Sequence, residues 1–263
     1  MAMHFSISDI AWEAKDDLYM MDVLPERGCD GLEIAPTRIF LEKPYEKLGE
    51  AKDYAADLKE KHGLTICSMQ SIWYKRTESI FGPNEEVDAL IEYTKQAILF
   101  AETVGCPNLV FGCPKNRIVP DGKSPDDALP FFREIGGIAA DHGTTIALEA
   151  VPESYGTNFL NLNSDLYEYV KKADCRGLKM NLDFGTLITN GEDPADIDRY
   201  VPLVNHVHIS EDKLDCIKKR DAHKVFISAL KAAGYDRFVS IEMRNQGDTA
   251  KVLEIVDYIH SLL

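Results

Sequence analysis

The chain has 263 residues, of which 45% are hydrophobic, and its formal net charge is −15. This length suits one large domain, and the negative charge disfavours nucleic acid as a partner. No apolar stretch approaches the roughly 20 residues that are needed to span a bilayer. The six cysteines form no CxxC pair, which is typical of a reduced cytosolic chain. We therefore expect a soluble, cytoplasmic protein that acts on a small molecule and binds neither nucleic acid nor membrane.

Short β-rich segments alternate with longer amphipathic segments about eight times along the chain. The predicted strands are residues 4–8, 31–35, 64–70, 108–112, 144–151, 177–184, 205–210 and 237–244. The predicted helices include residues 85–104, 125–142, 164–173, 194–201, 220–233 and 249–262. This alternation predicts a parallel sheet, and eight repeats predict its closure into one (β/α)₈ barrel domain over residues 1–263. A doubly wound open sheet is the alternative, which is disfavoured because no glycine-rich phosphate loop follows the first strand.

Four of the later strands each end in a potential metal ligand, and these ligands are Glu149, Asp183, His208 and Glu242. Side chains alternate between the two faces of a strand, and each candidate lies on the face opposite to the apolar residues. The carboxyl ends of the strands are also where a (β/α)₈ barrel places its active site. Three carboxylates packed together cannot all stay ionised unless a cation neutralises them. We therefore predict one divalent ion at these four residues, and the donor set suits Mn²⁺, Mg²⁺, Co²⁺ or Zn²⁺.

Four sequence blocks contain these residues, and they read ALEAVPESYGTN, NLDFGT, HVHISED and VSIEMR. As a set they resemble the signature blocks of the xylose-isomerase-like TIM barrels, which form the sugar phosphate isomerase/epimerase group. The ligand spacings of 34, 25 and 34 residues are similar to those of the ketose 3-epimerases in that group. The resemblance implies that Glu149 and Glu242 both bind the metal and transfer protons, whereas Asp183 and His208 are ligands only.

The resemblance also implies a reaction, namely metal-dependent isomerisation or epimerisation of a small ketose or a related polyhydroxy carbonyl compound. A metal that chelates adjacent hydroxyl and carbonyl oxygens acidifies the neighbouring C–H group. One carboxylate then removes that proton, which gives a cis-enediolate. Return of the proton to the opposite face of the same carbon epimerises the sugar, and return to the adjacent carbon isomerises it.

Two positions differ from the epimerase pattern. Thr186 stands where those enzymes have a histidine three residues after the aspartate, and Leu214 stands where they have an arginine six residues beyond the ligand histidine. A metal-dependent dehydratase on the same scaffold therefore stays open as the alternative function. A Schiff-base aldolase that uses a lysine such as Lys115, and a barrel that binds without catalysis, are further alternatives. Relatives are often dimers or tetramers, so a homo-oligomer is also possible.

Three cations near the predicted mouth are candidates for substrate binding. Lys115 and Arg117 follow the fourth strand and would bind a carboxylate or phosphate of the substrate, unless they are solvated loop residues. Arg244 shares the strand face of Glu242, where a charged group must find a partner. His206 lies on the face of His208, and we interpret it as a hydrogen-bonded core histidine rather than a second ligand.

Two tryptophans and two acids complete the predicted substrate contacts. Trp12 and Trp73 follow the first and third strands and would form an apolar wall against a sugar face, with core packing as the alternative. Glu33 ends the second strand and would bond a substrate hydroxyl, with a structural salt bridge as the alternative. Glu153 lies four residues beyond Glu149, near an acid that contacts substrate in the epimerases that the chain resembles.

Overall fold

The computed structural model describes residues 3–263 and contains a closed barrel of eight parallel strands in chain order. The strands are β1 (His4–Ser8), β2 (Gly31–Ile34), β3 (Thr65–Met69), β4 (Leu109–Phe111), β5 (Ile146–Glu149), β6 (Leu178–Asp183), β7 (Val204–Ile209) and β8 (Phe238–Ile241). Each strand pairs with the next, and β1 closes the barrel by pairing with β8. The predicted (β/α)₈ barrel is confirmed.

The helices pack around the outside of this barrel. They are α1 (Asp17–Val23), α2 (Pro36–Ile39), α3 (Leu48–His62), α4 (Asn84–Val104), α5 (Leu129–Asp141), α6 (Asn163–Ala173), α7 (Phe184–Asn190), α8 (Asp221–Ala232) and α9 (Thr249–His260). On α4 the buried positions Leu90, Thr94, Ala97 and Ala101 recur at helical spacing and face the barrel. Among residues 3–263, the helices all lack the combination of length and apolar character that crossing a membrane requires.

One predicted helix is wrong. The segment 194–201 forms turns and the start of a short 3₁₀ helix, and the helix that follows β6 is α7, which begins ten residues earlier at Phe184. The carboxylate of Asp183 accepts hydrogen bonds from the N–H groups of Gly185 and Thr186 and so caps α7 directly at the end of the strand. In the predicted segment, the Asp193 carboxylate instead accepts a bond from the N–H of Ala195, which favours a turn.

The interior of the barrel is unusually polar. Ordinary barrels of this type fill their interior with layers of branched apolar side chains. Here Ser6, Ser68, Asn181 and Ser240 are fully buried in the strands, and Asn108 donates a hydrogen bond of 2.9 Å to Ser68. The apolar core therefore lies between the strands and the helices, while the strands present polar groups inward beneath the mouth.

Candidate metal centre

Three of the four predicted metal ligands converge at the mouth of the barrel. Nδ1 of His208 lies 3.2 Å from Oε1 of Glu149 and 3.2 Å from Oε2 of Glu242. One ligand atom from each residue lies within 4.8 Å of the other two, which is a suitable grouping for a metal ion. The barrel brings them together because β5, β7 and β8 all end at this face, and the N–H of Glu242 is bonded to the carbonyl of Ile209 directly after His208.

Asp183, the fourth predicted ligand, lies beside this group with its carboxylate already bonded. Oδ1 accepts hydrogen bonds from Ser210 Oγ at 2.7 Å and from the N–H of Gly185 at 3.2 Å. Oδ2 lies 2.9 Å from both the N–H and the hydroxyl oxygen of Thr186. The role of Asp183 as a ligand stays a prediction, since metal binding would have to replace one of these bonds.

The electrostatics of the centre favour an added cation. Burial raises the pKa of Asp183, and the charge of Glu149 raises it further. Burial also raises the pKa of Glu242, although the contact with His208 opposes the shift. Burial alone would lower the pKa of His208, but the charges of Glu33 and Glu242 outweigh it and raise the pKa well above its usual value. A protonated His208 neutralises part of the buried negative charge, and a divalent cation bound by the same oxygen and nitrogen donors would neutralise more of it.

Glu33 lies beneath the mouth rather than in it. Its side chain is fully buried, and Oε2 lies 2.9 Å from Nε2 of His208 and 3.3 Å from Nε2 of His206. These contacts disfavour the predicted bond to a substrate hydroxyl and agree with the structural alternative. His206 is buried beside the same carboxylate, and its interpretation as a hydrogen-bonded core histidine rather than a second ligand stays a prediction.

Asn181 is a site residue for which the sequence analysis predicted no role. Its side chain donates a hydrogen bond of 2.5 Å to Oε1 of Glu149. The available signal was its position two residues before Asp183, on the same inward face of β6. Ser210 was missed in the same way, since it follows His208 by two residues, directly after β7, and its hydroxyl is bonded to Asp183.

Both tryptophans are core residues. Trp73 is 3% exposed, packs edge-on against Phe111 at a centroid distance of 4.6 Å, and donates its indole N–H to Thr94 at 2.9 Å. Trp12 is 2% exposed and donates its indole N–H to Asp17 at 2.8 Å. This packing disfavours the predicted apolar wall against a sugar, which would require exposed ring faces.

The predicted cations and Glu153 differ in their access to solvent. Arg117 is fully buried behind Glu149 and donates a hydrogen bond of 2.8 Å to the backbone carbonyl of that residue. Burial lowers the pKa of Arg117 to about 10, so the guanidinium keeps its charge at neutral pH. Lys115, Glu153 and Arg244 are all exposed, and Arg244 lies 4.0 Å from Asp215. These three residues are accessible to a ligand, whereas Arg117 supports the backbone at Glu149.

Comparison with protein families gives one match that spans most of the chain. A family model described as a xylose isomerase-like TIM barrel matches residues 21–261. An uncharacterized protein of Methanocaldococcus jannaschii is 30% identical over 140 residues, which are 50% of this chain and 47% of that protein. The match therefore spans about half the length of this relative.

Solved structures of sugar epimerases share the fold. A D-psicose 3-epimerase crystallised in the presence of D-fructose superposes with a TM-score of 0.77 at 17% identity, over 99% of this chain and 96% of the other. A 3-keto-D-glucoside 4-epimerase from E. coli gives 0.74 at 17% identity, over 99% and 98% of the two chains. A D-tagatose 3-epimerase-like protein gives 0.73 at 23% identity, again over 99% and 98%. Similarity at these identities supports the fold.

Proposed function

The chain belongs to the xylose isomerase-like TIM barrel family, and from this premise we propose that it is a divalent-metal-dependent isomerase or epimerase. The substrate would be a small ketose or a related polyhydroxy carbonyl compound. The observation that carries the proposal is the convergence of Glu149 and Glu242 on the same nitrogen of His208 at the carboxyl ends of three strands. The structural neighbours named as epimerases of ketoses and of a keto-glucoside support the substrate class.

The metal would be held by Glu149, His208 and Glu242, with Asp183 as the fourth ligand. Their donors are oxygens and one imidazole nitrogen, which suit Mn²⁺, Mg²⁺, Co²⁺ or Zn²⁺. When bound, such an ion polarises a carbonyl group and acidifies the C–H group next to it. The fit rests on the short separations between the donor atoms and on the raised pKa values of the two buried acids, Asp183 and Glu242.

Glu149 and Glu242 would transfer the proton. They lie at the ends of β5 and β8, and one carboxylate oxygen of each lies 3.2 Å from Nδ1 of His208. One carboxylate removes a proton from the carbon next to the carbonyl, and the other returns a proton from the opposite side. A general base works best when its pKa lies near the operating pH, and the raised pKa of Glu242 moves in that direction. Asn181 orients Glu149 through the hydrogen bond to Oε1.

The proposal is tested by the exchange of substrate protons with D₂O. Ketoses incubated with metal-loaded protein should take up deuterium at the carbon next to the carbonyl. Glu149→Gln and Glu242→Gln should each lower the exchange rate by about 10²–10⁴-fold, the usual contribution of a general acid or base. Glu60→Gln, at an exposed position of α3, is the matched control and should exchange as the wild type does. Exchange that survives complete chelation of divalent metals would contradict the proposal.

A dehydratase is the second candidate, and one observation favours it. Thr186 stands where the ketose 3-epimerases that the sequence resembles carry a histidine, and its hydroxyl lies within hydrogen-bond distance of Asp183 and of the carbonyl of Ala150. The side chain is thus engaged with the protein and offers no imidazole to a substrate. Accumulation of an unsaturated or deoxy product, in place of an epimer or isomer, would identify this reaction.

A further inference from the structure

A buried carboxylate lies directly beneath the candidate metal centre. Glu33 on β2 and His208 on β7 are 175 positions apart in the sequence, yet Oε2 and Nε2 are separated by 2.9 Å and both side chains are fully buried. Nδ1, the other nitrogen of the same ring, faces Glu149 and Glu242. The imidazole therefore connects the centre at the mouth to a carboxylate in the barrel interior.

The orientation of the His208 ring indicates which of its nitrogens would carry the proton when the centre holds a cation. The amide nitrogen of Asn181 donates a hydrogen bond of 2.5 Å to Oε1 of Glu149. The same amide nitrogen lies 3.1 Å from Nδ1 of His208, on the side of the ring that faces the centre. Nδ1 faces the carboxylates of Glu149 and Glu242, so it is the ring nitrogen that would bind a cation held by those two residues. The ring proton then belongs on Nε2, which faces Glu33.

We propose that Glu33 is a positioning residue for the metal centre, which holds the proton of His208 on Nε2 and so leaves Nδ1 free as the ligand atom. This inference rests on the metal centre of the proposed function. A histidine that binds a metal usually donates its other N–H to a carboxylate or carbonyl, which fixes the tautomer and orients the ring. Without Glu33 the buried Nε2–H would lose its acceptor, and the ring would lose this constraint on its tautomer.

His206 lies next to Glu33 and is not one of the proposed metal ligands. Its Nε2 lies 3.3 Å from the same oxygen of Glu33 that faces His208. The two imidazole rings are nearly perpendicular, with their centroids 5.2 Å apart, so both can direct an edge at one carboxylate oxygen. Both histidines therefore lie against one oxygen of Glu33 in the barrel interior.

Two substitutions at Glu33 distinguish a role in positioning His208 from a role in packing the barrel interior alone. Glu33→Gln keeps a carbonyl oxygen that can accept the Nε2–H bond, whereas Glu33→Met has a similar length and no such acceptor. Zn²⁺ affinity measured by calorimetric titration should fall about 10–100-fold in Glu33→Met and considerably less in Glu33→Gln. Ser6→Ala, at another fully buried polar position of the barrel interior, is the control and should bind Zn²⁺ as the wild type does. Thermal unfolding of each variant shows that the comparison is made between folded proteins.

Nitrogen NMR of protein labelled with ¹⁵N-histidine and loaded with Zn²⁺ gives a readout that a packing role alone would not change. We expect a proton on Nε2 of His208 and the metal on Nδ1 in the wild type. A proton on Nδ1 in the loaded protein, or a Glu33→Met variant that binds Zn²⁺ as tightly as the wild type, would overturn the inference while the metal centre stands. Wild-type protein that binds no Zn²⁺ or other divalent ion would overturn the metal centre and this inference with it.

Discussion

Asp9 is a buried acid whose replacement should stabilise the protein at neutral and higher pH. It directly follows β1, is 1% exposed, and accepts a hydrogen bond of 3.0 Å from the N–H of Ala35 through Oδ1. Oδ2 has no hydrogen-bond partner within residues 3–263, and the nearest cation, Arg38, lies 3.7 Å away and is bonded to Asp17. Burial raises the pKa of Asp9 to about 8, although Arg38 and the Ala35 N–H both act to lower it.

The size of the effect follows from the two pKa values. In the unfolded chain Asp9 loses its proton near pH 3.8, whereas the folded protein keeps it to about pH 8. The stability that the neutral Asp9 provides is therefore complete below pH 3.8 and is lost as the pH rises to about 8. Each pH unit in this interval is worth about 1.4 kcal/mol, so the loss reaches roughly 6 kcal/mol at most. Asp9→Asn keeps the carbonyl that accepts from Ala35 and removes the titration.

Urea unfolding between pH 4 and pH 9 measures this difference. The free energy of unfolding of Asp9→Asn minus that of the wild type should rise with pH by up to about 1.4 kcal/mol per unit and level off above pH 8. Asp53→Asn, at an exposed position of α3, should show no such slope. A difference between Asp9→Asn and the wild type that stays constant from pH 5 to pH 8 would show that burial does not raise the pKa of Asp9.

Two further substitutions test the packing around the site. Trp73→Ala removes a buried ring and should lower the free energy of unfolding by about 3–5 kcal/mol in a denaturant titration, and a loss below 1 kcal/mol would contradict its role in the core. Gly185→Ala would place a methyl group against the hydroxyl and backbone of Ser210, which bonds Asp183. We expect it to destabilise the protein by about 1–3 kcal/mol and to weaken Zn²⁺ binding if Asp183 is a ligand. Gly137→Ala, where the methyl group meets open space on α5, is its control and should change neither property for the worse. Equal effects of the two alanine substitutions would contradict the account of Gly185.

Much of the fold and of the centre could be predicted because the signals are local. Side chains alternate between the two faces of a strand, so the residues of that strand alone show which of its side chains face inward. Glu149, His208 and Glu242 each occupy an inward-facing position near the end of a strand, so closure of the barrel was enough to bring them together. The same logic placed Asp183 on the inward face of β6.

The parts that were not predicted depend on depth and on contacts between distant segments. Glu33 also ends a strand, but its depth in the barrel depends on how β2 is staggered against β3, where the register shifts. The contact of Glu33 with His208 crosses the barrel, and the residue pattern of β2 alone cannot predict it. Trp73 follows a strand as a mouth residue would, yet the loop turns it back against Phe111. The cap at Asp183 depends on where α7 begins, and that helix is too short for its periodicity to be recognised.

The proposed function requires that Glu149 and Glu242 hold one divalent metal ion together with His208. Elemental analysis of purified protein, after incubation with Mn²⁺, Mg²⁺, Co²⁺ or Zn²⁺ and removal of unbound ion, tests it most directly. We expect about one tightly bound ion per chain in the wild type and little or none in the double variant Glu149→Gln, Glu242→Gln. Equal metal content in the two proteins, or no bound metal in either, would contradict it.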